Sequence, residues 1–337
     1  MGKHLTVILL LFLGVSLLAN AEGFVVHPDD LGDEARLWSL YLRWLHSFNV
    51  SRTEDEMRKR FHVFVENVRF IEEFNKKGSS FELQLNAFGD LTNKEFLLLY
   101  AGFKPDPNAT NNVTEVFEHG TDQFVPKSVD WRARGAVTRV KDQLKCGSCW
   151  AFAVVAAIEG LNMIKTGRLV SLSEQELVDC NPYAKGCHGG DRRMAIYFAS
   201  RIGGLTAETN YPYRGYQSTC QTNRLKDIAA KVRGLGLVSQ NNEYALMQAA
   251  ARQPITVSVD ATTWQFYHKG VFKGPCGLGL NHGVTIVGYG TTVEGTKYWL
   301  VKNSWGTGWG ENGYIRMLRD VSPEGLCGIA MIPAFPV

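Results

Sequence analysis

Cys149 lies in the segment QLKCGSCWAF, at the head of an almost wholly apolar run from Cys149 to Ile158 that continues through EGLNMIKTG to Gly167. That run reads as a buried helix beginning at or just before the cysteine. A thiol attacks only as thiolate, and a free cysteine titrates at about 8.5. The positive end of a helix dipole and a protonated histidine nearby both lower that value. Gly147 and Ser148 keep the approach to this helix small, so that a substrate backbone can come close. The chain has seven cysteines, at positions 146, 149, 180, 187, 220, 276 and 327. In an oxidising compartment six pair and one remains as a reactive or intermolecular thiol, although parity does not say which. Three bridges at about 2–4 kcal/mol each would suit a hostile compartment.

Two further residues fit the same chemistry. His282 stands in Asn281-His282-Gly283 at the start of a strand pattern, and Asn303 in Lys302-Asn303-Ser304-Trp305-Gly306. An asparagine there is suited to accept an imidazole N–H and hold the ring in one tautomer. Trp305 is placed to shield that bond from water. Each signal is weak alone.

The elements that must position these residues fall into two regions. Upstream, residues 35–48 have leucines and aromatics at near-helical spacing. Thr53 with Glu56 makes a capping box for a second helix to about Asn75, with Phe61, Phe64, Val68 and Ile71 as its apolar stripe. FELQLNAF alternates like a strand, and Asn93–Tyr100 reads as a short helix. Residues 101–124 show no periodicity and read as a linker. Downstream, SLSEQELVDC carries a second capping box from Ser173 to Glu176. PITVSVDA, NHGVTIVGYG, KYWLVKNSWG and GYIRML then read as strands. A helical half followed by a β half predicts an α+β arrangement of two packed domains with a cleft between them.

The N-terminus has Lys3 and His4, an apolar run from Leu5 to Leu18 and the small-x-small triplet Ala19-Asn20-Ala21. Residues 1–21 are therefore expected to be a secretory signal peptide, with no other stretch able to cross a bilayer. Asn49, Asn108 and Asn112 open Asn-x-Ser/Thr sequons and are candidate glycan sites. The net charge of +3 hides an asymmetry: residues 22–124 carry 11 Lys+Arg against 18 Asp+Glu, and residues 125–337 carry 24 against 15. The halves should attract, and the attraction should weaken as carboxylates protonate. The basic residues of the second half are scattered, which argues against nucleic-acid binding.

Together these pieces resemble the papain and cathepsin cysteine proteases. Cys-Gly-Ser-Cys-Trp, a histidine 133 residues on and an asparagine 154 on are similar to that family's signature. VPKSVDWRARGAVTRVKDQ, GCHGG (GCNGG is usual) and KNSWGTGWGENGYIRM match it further, over residues 125–337 nearly end to end. Upstream, Glu56, Arg60, Phe64, Asn67, Ile71 and Asn75 reproduce the ERFNIN pattern of cathepsin-L-like propeptides. Asn86, Phe88 and Asp90 fit the GxNxFxD motif, with Gln84 in place of its glycine. The resemblance, closest to plant members, implies a papain-like fold with a helical left domain (about 125–230) and a β-barrel-like right domain (about 231–337). It implies an inhibitory propeptide over residues 22–124 that runs through the cleft; the charge asymmetry then predicts that acid loosens it and permits cleavage near residue 124.

The resemblance also implies residue roles. Cys149 attacks the scissile carbonyl and forms an acyl-enzyme; His282 forms the ion pair and protonates the leaving amine; Asn303 orients His282. Gln143 donates with the Cys149 amide to the oxyanion, one such donor being worth about 3 kcal/mol. The implied disulfides are Cys146–Cys187, Cys180–Cys220 and Cys276–Cys327, leaving Cys149 free. No cofactor and no metal are implied. The implied partners are protein and peptide substrates, the chain's own propeptide and cystatin-type inhibitors, with the enzyme a monomer that has no membrane span after signal removal. The chain ends in Ala334-Phe335-Pro336-Val337, without an endoplasmic-reticulum retention signal, so vacuole, lysosome or extracellular space is expected.

The sequence departs from the family at the specificity pocket, which receives the side chain two residues before the cleaved bond. After Gly189 and Gly190 come Asp191, Arg192 and Arg193 where relatives often have apolar residues, and Ser258 stands at a wall position commonly alanine or valine. Leu280 and Ile332 keep parts of the pocket apolar, and Trp305 is expected on the substrate-binding surface. Arg192 either favours an acidic or polar side chain or points to solvent. Leu144-Lys145 adds bulk and charge near the oxyanion side. Two other functions use the same residues: a catalytically silent binding or storage homologue, which usually lacks the cysteine or histidine, and acyl transfer to an amine, against which the propeptide pattern argues.

Overall fold

A computed structural model of the chain describes residues 24–117 and 125–337; the expected signal peptide (1–21) and the expected cleavage point near residue 124 lie outside the described residues. The N-terminal part is built on α1 (Glu34–Ser47) and α2 (Glu54–Lys76). Asp33 caps α1, and Thr53 and Glu56 form a reciprocal box on α2. The helices meet where Phe64 packs against Tyr41 and Trp44, ring centroids 4.8 and 5.4 Å apart. Val63 joins Phe64, Val68 and Ile71 in the buried stripe, while Phe61 is only partly buried, edge-on to Trp38.

The polar motif residues staple the chain from Leu83 to Glu95 onto α2. Asn75 bonds both backbone groups of Leu83, Asn67 donates to the Gly89 and Leu91 carbonyls, and Arg60 reaches Glu95 and the Asp90 carbonyl. Asp90 is fully buried and takes two bonds from Arg52 at 2.9 Å. The strand expected over FELQLNAF is short, β1 (Phe81–Leu83), because Asn86 turns the chain: its side chain accepts from the Phe88 amide and its carbonyl from Gly89. α3 (Asn93–Tyr100) comes next, boxed by Thr92 and Glu95.

The stretch read as a linker is not one up to residue 117. Its backbone runs against the downstream part at Phe103 and Gly190 and ends in β2 (Glu115–Phe117), which pairs in parallel with Gly236–Val238. Its bonds go to a distant backbone, so nothing in its own periodicity marks them.

After β3 (Val129–Asp130) come α4 (Cys149–Thr166), α5 (Glu174–Cys180) and α6 (Arg192–Arg201), then β4 (Gly204–Thr206), β5 (Ile228–Lys231) and β6 (Leu235–Val238). Beyond lie α7 (Glu243–Ala250), β7 (Ile255–Val259), β8 (Tyr267–Phe272), β9 (His282–Thr291), β10 (Lys297–Lys302), β11 (Tyr314–Leu318) and β12 (Ala334–Pro336). The architecture is α+β. Ten strands form one mostly antiparallel sheet, ordered β1-β8-β11-β10-β9-β7-β12-β6-β2 with β3 beside β9. Both ends of this path are strands from the first 117 residues.

α4 is buried along Cys149–Leu161 and packs with α5 and α6 in a core of Trp150, Val154, Ile158, Leu177 and Ile196. Contrary to the expectation that no stretch beyond the signal could span a bilayer, α4 is long and apolar enough by composition; 67% of it is buried inside the protein, the enclosed part ending at Leu161. The other core runs without a break from Tyr41, Trp44 and Phe64 to Trp264, Trp299 and Trp309 of the β part. On α5 Ser173 accepts from the Glu176 amide, but Glu176 does not return the bond as the capping box predicts; its carboxylate takes the Thr206 amide at 2.8 Å.

Candidate active site

Four elements converge on Cys149. It is the first residue of α4, where the leading amides have no partner within the helix. β9 begins with His282, and β10 ends one residue before Asn303; these strands pair antiparallel, which sets the two side chains together. His282 Nε2 lies 2.8 Å from Asn303 Oδ1, and Asn303 is itself fixed by the Ser304 amide at 2.7 Å. The Trp305 indole stacks on the imidazole, centroids 4.5 Å apart at 29°. Gln143 is fully buried and its amide is oriented by the Ser304 hydroxyl, which donates to Oε1 at 2.7 Å. Gln143 Nε2 is thereby left as the donor facing the cleft.

The segment Tyr100–Asp106 occupies that cleft. The Tyr100 carbonyl accepts from Gln143 Nε2 at 3.1 Å. The Gly102 amide donates to Cys149 Sγ at 3.2 Å and the Gly283 amide at 3.3 Å. The sulfur therefore meets an N–H donor where a substrate would present a carbonyl carbon. Gly102 is required there: a Cβ would stand 1.8 Å from the Gly147 carbonyl oxygen. Phe103 and Lys104 then pair with Gly190, whose amide donates to the Gly102 carbonyl at 3.0 Å.

Enclosure sets the electrostatics. Burial pushes the Cys149 thiol up, against the lowering effect of the Gly283, Gly102 and Trp150 amides and the Arg192 charge. Burial pulls His282 down to about 4, against the Asn303 bond and the nearby Tyr100 carbonyl. Both shifts favour a neutral thiol beside a neutral imidazole while the cleft is filled.

The pocket residues separate into groups. Arg192 does not point to solvent; it is wholly enclosed, and its Nε donates to Ser258 Oγ at 2.6 Å. Ile332 contributes its carbonyl, which accepts from Arg192 Nη2 at 2.9 Å. Phe103 lies over the guanidinium, and Gly189 and Gly190 line the backbone beside Gly102. Leu280 instead packs toward Gly328. Trp305 lies between His282 and the rings of Phe88 and Phe96. Leu144, at φ 54°, is half exposed and lies against Gly215. Disulfides join Cys146 to Cys187, Cys180 to Cys220 and Cys276 to Cys327, and Cys149 is the free cysteine among the described residues. Asn49 and Asn108 are exposed. Sequence reasoning missed Tyr100, Gly102, Phe103 and Thr256; only the glycine in Tyr-Ala-Gly-Phe, just past a short helix, hinted at a close approach.

A buried thiol at a helix start, a histidine held by an asparagine and a chain segment lying backbone-first across both define a thiol hydrolase in precursor form. Comparison with known proteins agrees. Residues 125–337 match the papain family cysteine protease model, and residues 41–96 match the cathepsin propeptide inhibitor domain. The chain belongs to the papain family and is a cysteine-type endopeptidase made as a proenzyme with an intramolecular propeptide inhibitor. It is 49% identical to vignain of Phaseolus vulgaris over 328 residues, covering 95% of this chain and 91% of that protein. It is also 49% identical to cysteine endopeptidase RepA of Oryza sativa subsp. japonica over 330 residues, 91% of this chain and 87% of that one. Among solved structures, the proform of the ragweed pollen cysteine protease Amb a 11 superposes with a TM-score of 0.86 at 42% identity, covering 94% and 98% of the two chains. Recombinant stem bromelain precursor gives 0.80 at 42% identity, covering 89% and 98%. Its three disulfides and its plant relatives fit the secretory pathway.

Proposed function

We propose that the mature enzyme spans residues 125–337 and cleaves peptide bonds with Cys149 as nucleophile, His282 as acid and base, Asn303 as the group orienting His282, and Gln143 as an oxyanion donor. Once the cleft opens to water, the burial that holds both groups neutral is relieved and the proton moves from Cys149 to His282. The thiolate attacks the scissile carbonyl carbon. The oxygen that gains charge takes hydrogen bonds from Gln143 Nε2 and the Cys149 amide, as the Tyr100 carbonyl already does with Gln143 Nε2. The C–N bond breaks as the imidazolium protonates the leaving amine, and the thioester remains. A water, deprotonated by His282, attacks the thioester and releases the acid and the thiol.

The single observation that carries this reading is the 2.8 Å bond between His282 Nε2 and Asn303 Oδ1 beside the free thiol. Substrate binding is assigned to Gly189, Gly190, Arg192, Ser258 and Ile332 around the pocket and to Trp305 beside His282. Residues 22–124 are the propeptide, released by acid with cleavage near residue 124, and the enzyme works in a vacuole, lysosome or extracellular space. The test is Cys149→Ala: the variant is expected to fold and to remain an uncut precursor without peptidase activity on acidification, and activity in it would reject the assignment.

A further inference from the structure

Arg192 opens α6, and its guanidinium is fully enclosed at the floor of the pocket beside Gly190. All its hydrogen bonds go to neutral acceptors. Nε donates to Ser258 Oγ, Nη1 to the Thr256 carbonyl at 2.8 Å and to its hydroxyl at 3.3 Å, and Nη2 to the Ile332 carbonyl. A guanidinium has five N–H donors, so one on Nη2 is not used by these four bonds. The adjacent carboxylate spends its hydrogen bonds elsewhere: Asp191 holds the Arg193 side chain at 2.6 Å and the amides of Arg193 and Asp106, and it acts on Arg192 only through space. Burial lowers the Arg192 pKa only to about 9, so the charge persists at neutral and acid pH.

A buried guanidinium with no carboxylate hydrogen-bonded to it is costly, and stitching α6 to β7 does not require one. In the precursor the exposed face of the charge is covered by Phe103, whose ring centroid lies 5.5 Å from Arg192 Cζ. An aromatic face partly stands in for a directly bonded anion. That cover leaves with the propeptide, since the same segment carries Gly102 across Cys149.

We infer that this pocket takes a carboxylate, so that the enzyme prefers glutamate or aspartate two residues before the cleaved bond, with Arg192 as the specificity-determining residue. This rests on the catalytic reading above. An aliphatic side chain there would bury the guanidinium unpaired, whereas a carboxylate supplies its counter-ion in a site already stripped of water. Ser258 and Thr256 hold the guanidinium in place; an alanine or valine at position 258 would leave Nε without its acceptor.

The test uses the acid-processed enzyme and peptides that differ only at that position: Glu, the isosteric uncharged Gln, Leu and Phe. Active enzyme is counted first by titration with a thiol-directed epoxide. The expected kcat/KM for Glu exceeds that for Gln and Leu by at least about tenfold, near the 1.4 kcal/mol that a tenfold ratio represents. Arg192→Met is expected to reverse the order, with Leu ahead of Glu. Leu or Phe ahead of Glu in the wild type, or Glu equal to Gln, would overturn the inference while leaving a titratable protease intact. Absence of titratable thiol would remove the catalytic reading and the inference with it. Should Arg192→Met fail to fold, the wild-type comparison of Glu with Gln decides alone.

Discussion

The Tyr100 carbonyl and the Gln143 side chain form a 3.1 Å hydrogen bond inside the cleft, so the propeptide holds the same donor that the developing oxyanion would use. The Ser304 hydroxyl fixes the direction of that amide. Gln143→Ala in the processed enzyme is expected to lower kcat about 10²- to 10³-fold with a much smaller change in KM. Steady-state kinetics on one peptide series separates the two; a loss confined to KM would contradict the role.

Gly102 passes so close to Gly147 that a methyl group has no space, its Cβ falling 1.8 Å from a backbone oxygen. Gly102→Ala is therefore expected to lift the segment off Cys149 while the distant α1–α2 core stays folded. The full-length precursor should then react with a thiol probe at neutral pH, where the wild-type precursor is protected. Equal protection would mean that the cleft is closed by other contacts.

Acid release reads differently in the structure than in the charge count. Among the described residues, the one ion pair between residues 24–117 and residues 125–337 is Lys269–Glu82, with both side chains more than half exposed. The buried and part-buried pairs, Arg52–Asp90 and Arg60–Glu95, lie within the propeptide. The Arg60 bond draws Glu95 down to about 2, with Thr92 assisting and burial opposing. A carboxylate depressed in the folded state stabilises above its unfolded value of about 4.3, and that contribution is lost as pH falls toward the folded value. Acid is thus expected to loosen the propeptide itself, from about pH 4 downward. Glu95→Gln is expected to move the processing midpoint to higher pH, measured as precursor half-life from acid to neutral pH; an unchanged profile would contradict this.

Asn303 offers His282 an acceptor in a site shielded by Trp305. Asn303→Ala removes one hydrogen bond to a group that becomes charged, worth about 1.5–3 kcal/mol. The expected result is a fall in kcat of roughly 10- to 150-fold with KM and melting temperature little altered. A matching loss of melting temperature would show a structural role instead.

Much of this site is legible in local sequence because local physics makes it. The apolar run after Cys149 specifies α4, and the spacing of Phe64, Val68 and Ile71 specifies the stripe of α2. Arg60, Asn67 and Asn75 are spaced along α2 so that each reaches the chain between Leu83 and Glu95, and Glu56 closes the box at Thr53. The features that could not be read depend on chain brought from far away. Gly102 meets Cys149 across 47 residues, and Arg192 meets Thr256 across 64. Neither the cover on the thiol nor the enclosure of the guanidinium leaves a periodic trace. The segment expected to be a linker bonds to another backbone, and the box at Ser173 stays half made because Glu176 finds Thr206 first.

The central claim is that Cys149 is the nucleophile, enclosed in the precursor and freed by loss of the propeptide. An epoxide thiol probe applied to the full-length precursor at neutral pH and to the acid-processed enzyme, with the modified residue located by mass spectrometry, tests it most directly. The expected result is stoichiometric label on Cys149 in the processed enzyme and almost none in the precursor. Label absent from Cys149 after processing, or equal in both forms, would contradict it.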